Sequence, residues 1–266
     1  MKYYLSVTAI LKNEAYYLEE WLEFHILQGV QHFFLFLNED INTHTDEVDI
    51  LNRYQRLGLV TWGYWPGNGT QFTAYNESLT RFGSETRWMA FIDIDEFLLG
   101  TSNPLASELT FYEAHPAVAV HWIHFGSAGQ LYKTPGLVIE RFIMREPGTN
   151  EHVKSIVQPD KTVSLGSNAH YFILNGHAVD EMYKGLPEYY AQDFDGSTSV
   201  LRVHHYAVKS REESDLRWIN PRIDTNEVRP NQDTHFKERD TNDTQDLTAY
   251  KFINSVKTNI KRRSLC

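Results

Sequence analysis

A chain of 266 residues that is 41% hydrophobic and 14% aromatic can bury a sizeable core, with rings left over for stacking on a ligand. Its formal charge of −10 argues against nonspecific nucleic-acid binding, which draws on clustered Lys and Arg to release counterions from phosphate. The single cysteine, Cys266, rules out an intramolecular disulfide, a dithiol motif and a Cys-based zinc site, and suits a reducing compartment.

Tyr3 to Leu11 reads as a strand that no signal-like apolar region precedes. Asn13 is placed to cap a helix in which Leu18, Trp21, Leu22 and His25 or Ile26 recur at helical spacing until Gly29. His32 to Leu37 is a second strand. A helix from Thr45 or Asp46 carries Val48, Leu51, Tyr54 and Leu57 inward, and Leu59 to Trp65 is the third strand. After the turn-rich Pro66 to Gly69, a helix presents Phe72, Tyr75, Leu79 and Phe82, and Trp88 to Ile92 is the fourth strand. This alternation predicts an α/β fold, a mostly parallel central sheet flanked by helices. Past residue 100 the pattern is mixed, with strand-like Ala117 to Phe125, Val138 to Met144, His170 to Leu174 and Ser199 to Ala207.

No stretch is long enough to span a bilayer, so the expected location is cytoplasmic. Weak peripheral contact with the inner membrane face is conceivable only through Lys257, Lys261, Arg262 and Arg263, for which a solvated tail is the plainer reading.

The chemistry centres on Asp93-Ile94-Asp95-Glu96, three carboxylates in four positions between apolar neighbours. Burying that charge uncompensated is costly, and a divalent ion bridging to a diphosphate would compensate it. An isolated Asp-x-Asp is common in solvated loops. Here it follows an apolar strand and three strand-helix units, and the carboxyl ends of such strands are where α/β sheets bind ligands. Three further segments accompany it. His204 and His205 alternate across a strand, so at most one imidazole reaches a shared site. Lys154 and Lys209 could meet phosphate, and Trp122 to Gly129 runs into a small-residue loop whose ordinary reading is a turn.

The order of these segments resembles glycosyltransferase family 92 and related family 2-like bacterial enzymes over roughly residues 4 to 213. The resemblance is carried by Lys12-Asn13-Glu14 with Leu18-Glu19-Glu20-Trp21, Phe91 to Phe97, Trp122 to Gly129, Val153 to Val157, and His205-Tyr206 with Lys209-Ser210. It implies a GT-A nucleotide-sugar-binding fold, a UDP-sugar donor, Mn²⁺ or Mg²⁺, and inverting, metal-dependent transfer of a hexose such as galactose to a glycan acceptor in polysaccharide biosynthesis. Residues 1–220 would be that domain, with a nucleotide-binding half (1–100) and an acceptor half (101–220), followed by a helical or loosely ordered tail (221–266). By position, Asp93 would lie near the ribose and metal, Asp95 would ligate the metal, and His205 would complete its shell. Leu11, Asn13, Asn38, Gln71 and Asn76 would contact the nucleotide. For the base that an inverting transfer needs, Glu151, Asp180 and Glu181 fall in the expected order, with Asp180 slightly preferred. The chain departs from the family after Ser210, where Asp215, Arg217, Trp218 and Ile219 stand.

Other readings stay open at this level. The same fold could bind a nucleotide sugar or glycan without turnover, or serve a nucleotidyltransferase, although Ala9 to Glu14 lacks the glycine-rich loop the latter would use. A glycoside hydrolase fits poorly, since acids two residues apart suit one ion better than two faces of a sugar ring.

Overall fold

The computed structural model describes residues 1–186, 196–219 and 232–265; Cys266 and the boundary expected at residue 220 lie outside them. The first hundred residues alternate as their apolar spacing predicts: β1 (Tyr3–Leu11), α1 (Ala15–Leu27), β2 (His32–Leu37), α2 (Asp46–Arg56), β3 (Val60–Tyr64), α3 (Gln71–Phe82), β4 (Thr86–Phe91) and β5 (Glu96–Gly100). β1 lies between β2 and β4, parallel to both, and β3 extends the row in parallel from β2. Side-chain alternation along β1 feeds two cores. Leu5, Val7, Ala9 and Leu11 pack with Leu18 and Trp21 of α1, while Ile10 packs with Tyr75 and Phe82 of α3 on the other face.

Beyond Gly100 come α4 (Leu105–Leu109), β6 (Ala117–His124), α5 (Val138–Arg141), β7 (Met144–Arg145), β8 (Val153–Val157), β9 (Thr162–Leu165), β10 (Phe172–Leu174), β11 (Ala178–Val179), β12 (Gly185–Leu186), β13 (Leu201–His205), α6 (Arg211–Trp218), α7 (Gln232–Arg239), β14 (Thr244–Gln245) and α8 (Ile253–Arg263). β8 enters antiparallel between β4 and β6, giving a ten-stranded mixed sheet ordered β12-β11-β6-β8-β4-β1-β2-β3, with β13 and β5 branching from β6. The branch exists because β6 changes partner along its length. Val118 pairs with Val179 of β11, whereas Trp122 to His124 pair with Val203 to His205 of β13. The chain leaves the main sheet at the end of β4 and joins the branch at β5, so the acidic run occupies the crossing between them.

Several local expectations change. Asn13 does not cap α1: it sits at φ 59° before the cap residue Glu14, and the N–H groups of Glu14 and Ala15 donate instead to Glu47 Oε1 of α2 at 2.8 and 3.1 Å. Leu57 does not face inward, because α2 ends at Arg56 and leaves it 37% exposed. Val138 to Met144 is a single helical turn followed by β7 rather than a strand. The N–H groups of Val138 and Ile139 donate to the two oxygens of buried Glu20, which stabilises a helix start there.

The C-terminal segment, in its described part, is helical and docked. Ile253 and Val256 of α8 join the main core, Arg263 pairs with Glu23, and Lys257 pairs with Glu140 at 2.6 Å. Two of the four basic residues, read from the sequence as a solvated tail with membrane contact the lesser alternative, are therefore paired with carboxylates of the body. Among the described residues no helix is long and apolar enough to cross a membrane.

Candidate active site

The acidic loop is fixed by its backbone. Trp21 Nε1, fully buried on α1, donates to Asp93 O and Glu96 O at 3.1 and 2.9 Å. Asp93 N donates to Glu96 Oε2 at 2.9 Å, and Tyr206 N donates to Asp95 O at 2.9 Å. Asp93 and Glu96 thereby converge on one cation and Asp95 is sent to another.

Asp93 accepts from Gln71 Nε2 at 2.9 Å and from Lys154 Nζ at 2.8 Å. Lys154 is buried and lies 3.2 Å from Glu96 as well, with its ammonium over the Trp122 ring at 5.7 Å. Burial works against its charge, but Asp93 and Glu96 outweigh that and raise its pKa. Burial pushes the Glu96 carboxyl up to about 8, with Lys154 opposing. Asp95 behaves differently. Burial would raise its pKa, yet the Arg217 guanidinium and His205 hold it well below the usual carboxylate range. Arg217 Nη1 donates to Asp95 Oδ2 and to Ala207 O at 3.0 Å. His205 Nε2 lies 3.5 Å from the same Asp95 oxygen, and burial keeps its imidazole below its ordinary pKa, hence neutral at pH 7.

Of the expected ion ligands, Asp95 and His205 come together and Asp93 does not join them. Its carboxylate turns to Gln71 and Lys154, and the Asp95 oxygen nearest His205 is held by Arg217. As a three-ligand set these residues do not fit a divalent ion, and among the described residues no group of three or more His, Cys, Asp or Glu could hold one.

The nucleotide candidates divide similarly. Gln71 positions Asp93, and Leu11 ends β1 beside it with its carbonyl taken by Asn38 N at 2.9 Å. The Asn38 amide is spent on Trp65 O, Gly67 O and Thr70 Oγ1, which shapes the β3–α3 turn. Asn76 binds Leu165 N on β9 at 3.3 Å, and Asn13 is exposed. Lys209 is buried at φ 54°, with Nζ 4.4 Å from the Tyr17 ring centre, and acts electrostatically on Asp95 and Glu14. Burial pushes Glu14 up to about 7, with Lys209 and Arg217 opposing.

The three base candidates separate by position. Asp180 follows Val179, which pairs with Val118 near the start of β6, whereas His124 at the other end of β6 pairs with His205. Asp180 Oδ1 accepts from the Met182 and Lys184 N–H groups at 2.9 and 2.8 Å and so closes a turn. Glu181 is saturated by Ser199, Val200 and Leu201. Glu151 alone lies at the His205 end: its neighbour His152 supplies the carbonyl that binds Trp122 N at 3.0 Å, and its own side chain is exposed.

Trp122 forms the hub of an aromatic floor, stacked on His152 at 4.9 Å and in contact with His205 at 4.3 Å and His170 at 5.3 Å. The small-residue loop after it has another task. A Cβ at Gly126 would meet Thr241 O at 2.4 Å, and the N–H groups of Ser127 and Ala128 bind Asp240 and Asn242 at 2.6 and 2.8 Å. Those amides dock the C-terminal segment. Arg217 and Trp21 contact the acidic loop and were not among the candidate site residues read from the sequence. Trp21 was visible as an apolar helix residue and within the Leu18-Glu19-Glu20-Trp21 segment that carries the resemblance, and Arg217 only as a departure from the family pattern.

The family model for glycosyltransferase family 92 matches residues 2–249. The chain belongs to glycosyltransferase family 92. It is 27% identical over 221 residues to a family 92 protein of Ricinus communis, covering 78% of this chain and 36% of that protein. It is 31% identical over 178 residues to one of Oryza sativa subsp. japonica, covering 64% and 30%. The chain thus spans about a third of the length of these relatives. Both are plant proteins, whereas the sequence raised the expectation of bacterial enzymes. Among solved structures it is similar to S. aureus TarS in complex with UDP, with a TM-score of 0.36, 18% identity, and coverage of 49% of this chain and 38% of that one. It is similar at the same TM-score of 0.36 to 4-diphosphocytidyl-2C-methyl-D-erythritol synthase of Anaerococcus prevotii, at 12% identity, covering 60% and 71%.

Proposed function

We propose that this chain is a glycosyltransferase that takes a UDP-sugar and passes its hexosyl group, with inversion, to a hydroxyl of a glycan acceptor. The observation that carries this reading is the place of the acidic loop: in a chain of family 92, it leaves the carboxyl end of β4 beside the carboxyl end of parallel β1. Leu11 and Gln71 border the nucleotide side. Trp122 and its histidines offer the flat apolar surface on which a sugar ring packs. The leaving diphosphate requires positive charge, which Lys154, Lys209 and Arg217 bring to the same crossing.

In the chemical step the acceptor oxygen attacks the anomeric carbon, its proton passes to a carboxylate, and the bond to the diphosphate oxygen breaks. Glu151 is assigned as the base, since it alone of the three expected acids has an open carboxylate at this end of the sheet. A test is UDP release across a panel of UDP-sugars with oligosaccharide acceptors. Glu151→Gln is expected to lower turnover by roughly 10²- to 10⁴-fold with an unchanged melting temperature. Full activity in that variant would remove Glu151 from the chemistry. Failure of the parent to bind any nucleotide sugar would overturn the function.

A further inference from the structure

Beside the family resemblance, which implies Mn²⁺ or Mg²⁺, the physical reason for an ion is that the acidic run buries negative charge and needs a counter-charge. The fold supplies that counter-charge from the chain itself. Asp93 and Glu96 share Lys154, and Asp95 has Arg217. We infer that Arg217 stands at Asp95 in place of a divalent ion and is the cation that meets the donor's diphosphate. The inference rests on the reading of the chain as a nucleotide-sugar-using transferase and names the group that holds the donor.

The geometry of one oxygen carries it. An ion ligated jointly by Asp95 and His205 would need Asp95 Oδ2, the atom facing His205 Nε2, and Arg217 Nη1 already donates to that atom. Guanidinium and ion are alternatives there, and the guanidinium is tethered. Arg217 lies in the last turn of α6, whose start is closed by a capping box between Ser210 and Glu213. Glu213 is in turn held by both terminal nitrogens of buried Arg141, at 2.9 and 2.6 Å, and by the Tyr17 hydroxyl at 2.8 Å.

Exposure sets the direction in which the charge is presented. The Asp95 side chain is 2% exposed and that of Arg217 is 33%, so the cation forms the open face of the pair. Among the described residues Arg217 Nε and Nη2 meet no acceptor, and two parallel N–H groups of a guanidinium match two phosphate oxygens. Lys209, buried beside Tyr17, adds a second positive charge close enough to act on Asp95. Its backbone at φ 54° is strained for a non-glycine residue, as befits a side chain held at a functional position.

The test is calorimetric titration of the full chain with UDP, once in EDTA and once in Mn²⁺. The parent is expected to bind UDP equally well, within about 3-fold, in both media. Arg217→Gln in EDTA is expected to bind about 10-fold more weakly or worse, through loss of a charge-assisted contact, and Arg217→Lys to fall between them. Circular dichroism checks that the variants fold; where Arg217→Gln does not, the parent's two titrations and Arg217→Lys decide. Parent binding that collapses in EDTA, or Arg217→Gln binding like the parent there, overturns the inference and leaves the transferase reading standing. No UDP binding in either medium overturns both.

Discussion

Both sides of Gly100 contribute to the apolar cores, but after it buried ion pairs between segments distant in sequence are added to that packing. Parallel strands and α2 of the first half feed Leu11, Phe33, Leu35 and Leu51 into one continuous core. The short elements of the second half are pinned by charges distant in sequence: Arg141 on Glu213, 72 residues apart, and Arg145 on Asp246, 101 residues apart. The acidic crossing belongs to both, with Trp21 holding its backbone from the first half and Lys154 and Arg217 neutralising it from the second. Periodic burial is written locally in a sequence. Charge pairing over such distances is not, and the site depends on it.

The contrast is most exposed to failure at Glu213. Arg141 and Glu213 are almost wholly buried, so removing one partner strands the other charge. Glu213→Ala is expected to lower the unfolding free energy in urea by about 3–5 kcal/mol. A loss below about 1 kcal/mol would mean that the pair adds little to the apolar packing of this half.

Acid titration sharpens the same point with a smaller effect. Burial opposes ionisation of Glu213, but hydrogen bonds from Arg141, Ser210 and Tyr17 hold its pKa down to about 2 from 4.5. With the folded value depressed, its contribution is complete above pH 4.5 and is lost as pH falls toward about 2. Stability measured by urea unfolding should therefore decline across that window, and Glu213→Ala should flatten the decline. An identical slope in the variant would assign the acid limb to other groups.

The smallest effect is expected at Leu57, which shares its apolar spacing with buried Leu51 but lies past the end of α2. Leu57→Ala should change stability by less than about 0.5 kcal/mol. A larger loss would show that burial in this half extends beyond what the helix brings inside.

Much of the first half was legible from periodicity: β1 and β2 have the expected bounds, and β3, α2, α3 and β4 differ from them by a residue or two. Where local signals misled, a distant side chain had intervened. Glu47 rather than Asn13 caps α1, and Glu20 turns the apolar run after Leu137 into a helix start. Lys154 and His205 were legible as candidates near the acidic run because their residue types suit phosphate and metal chemistry. Asp180 and Glu181 were placed by chain order alone, which carries no information about which end of β6 they occupy.

The sequence by itself determined the α/β alternation, the strand whose carboxyl end leads into Asp93 to Glu96, and the family, because these rest on residues near one another or on the order of segments. Only the tertiary structure decided how the buried carboxylates are neutralised. That depends on which cation, 61 or 122 residues away, the forked sheet and α6 deliver within hydrogen-bonding reach, and no local pattern records such a distance.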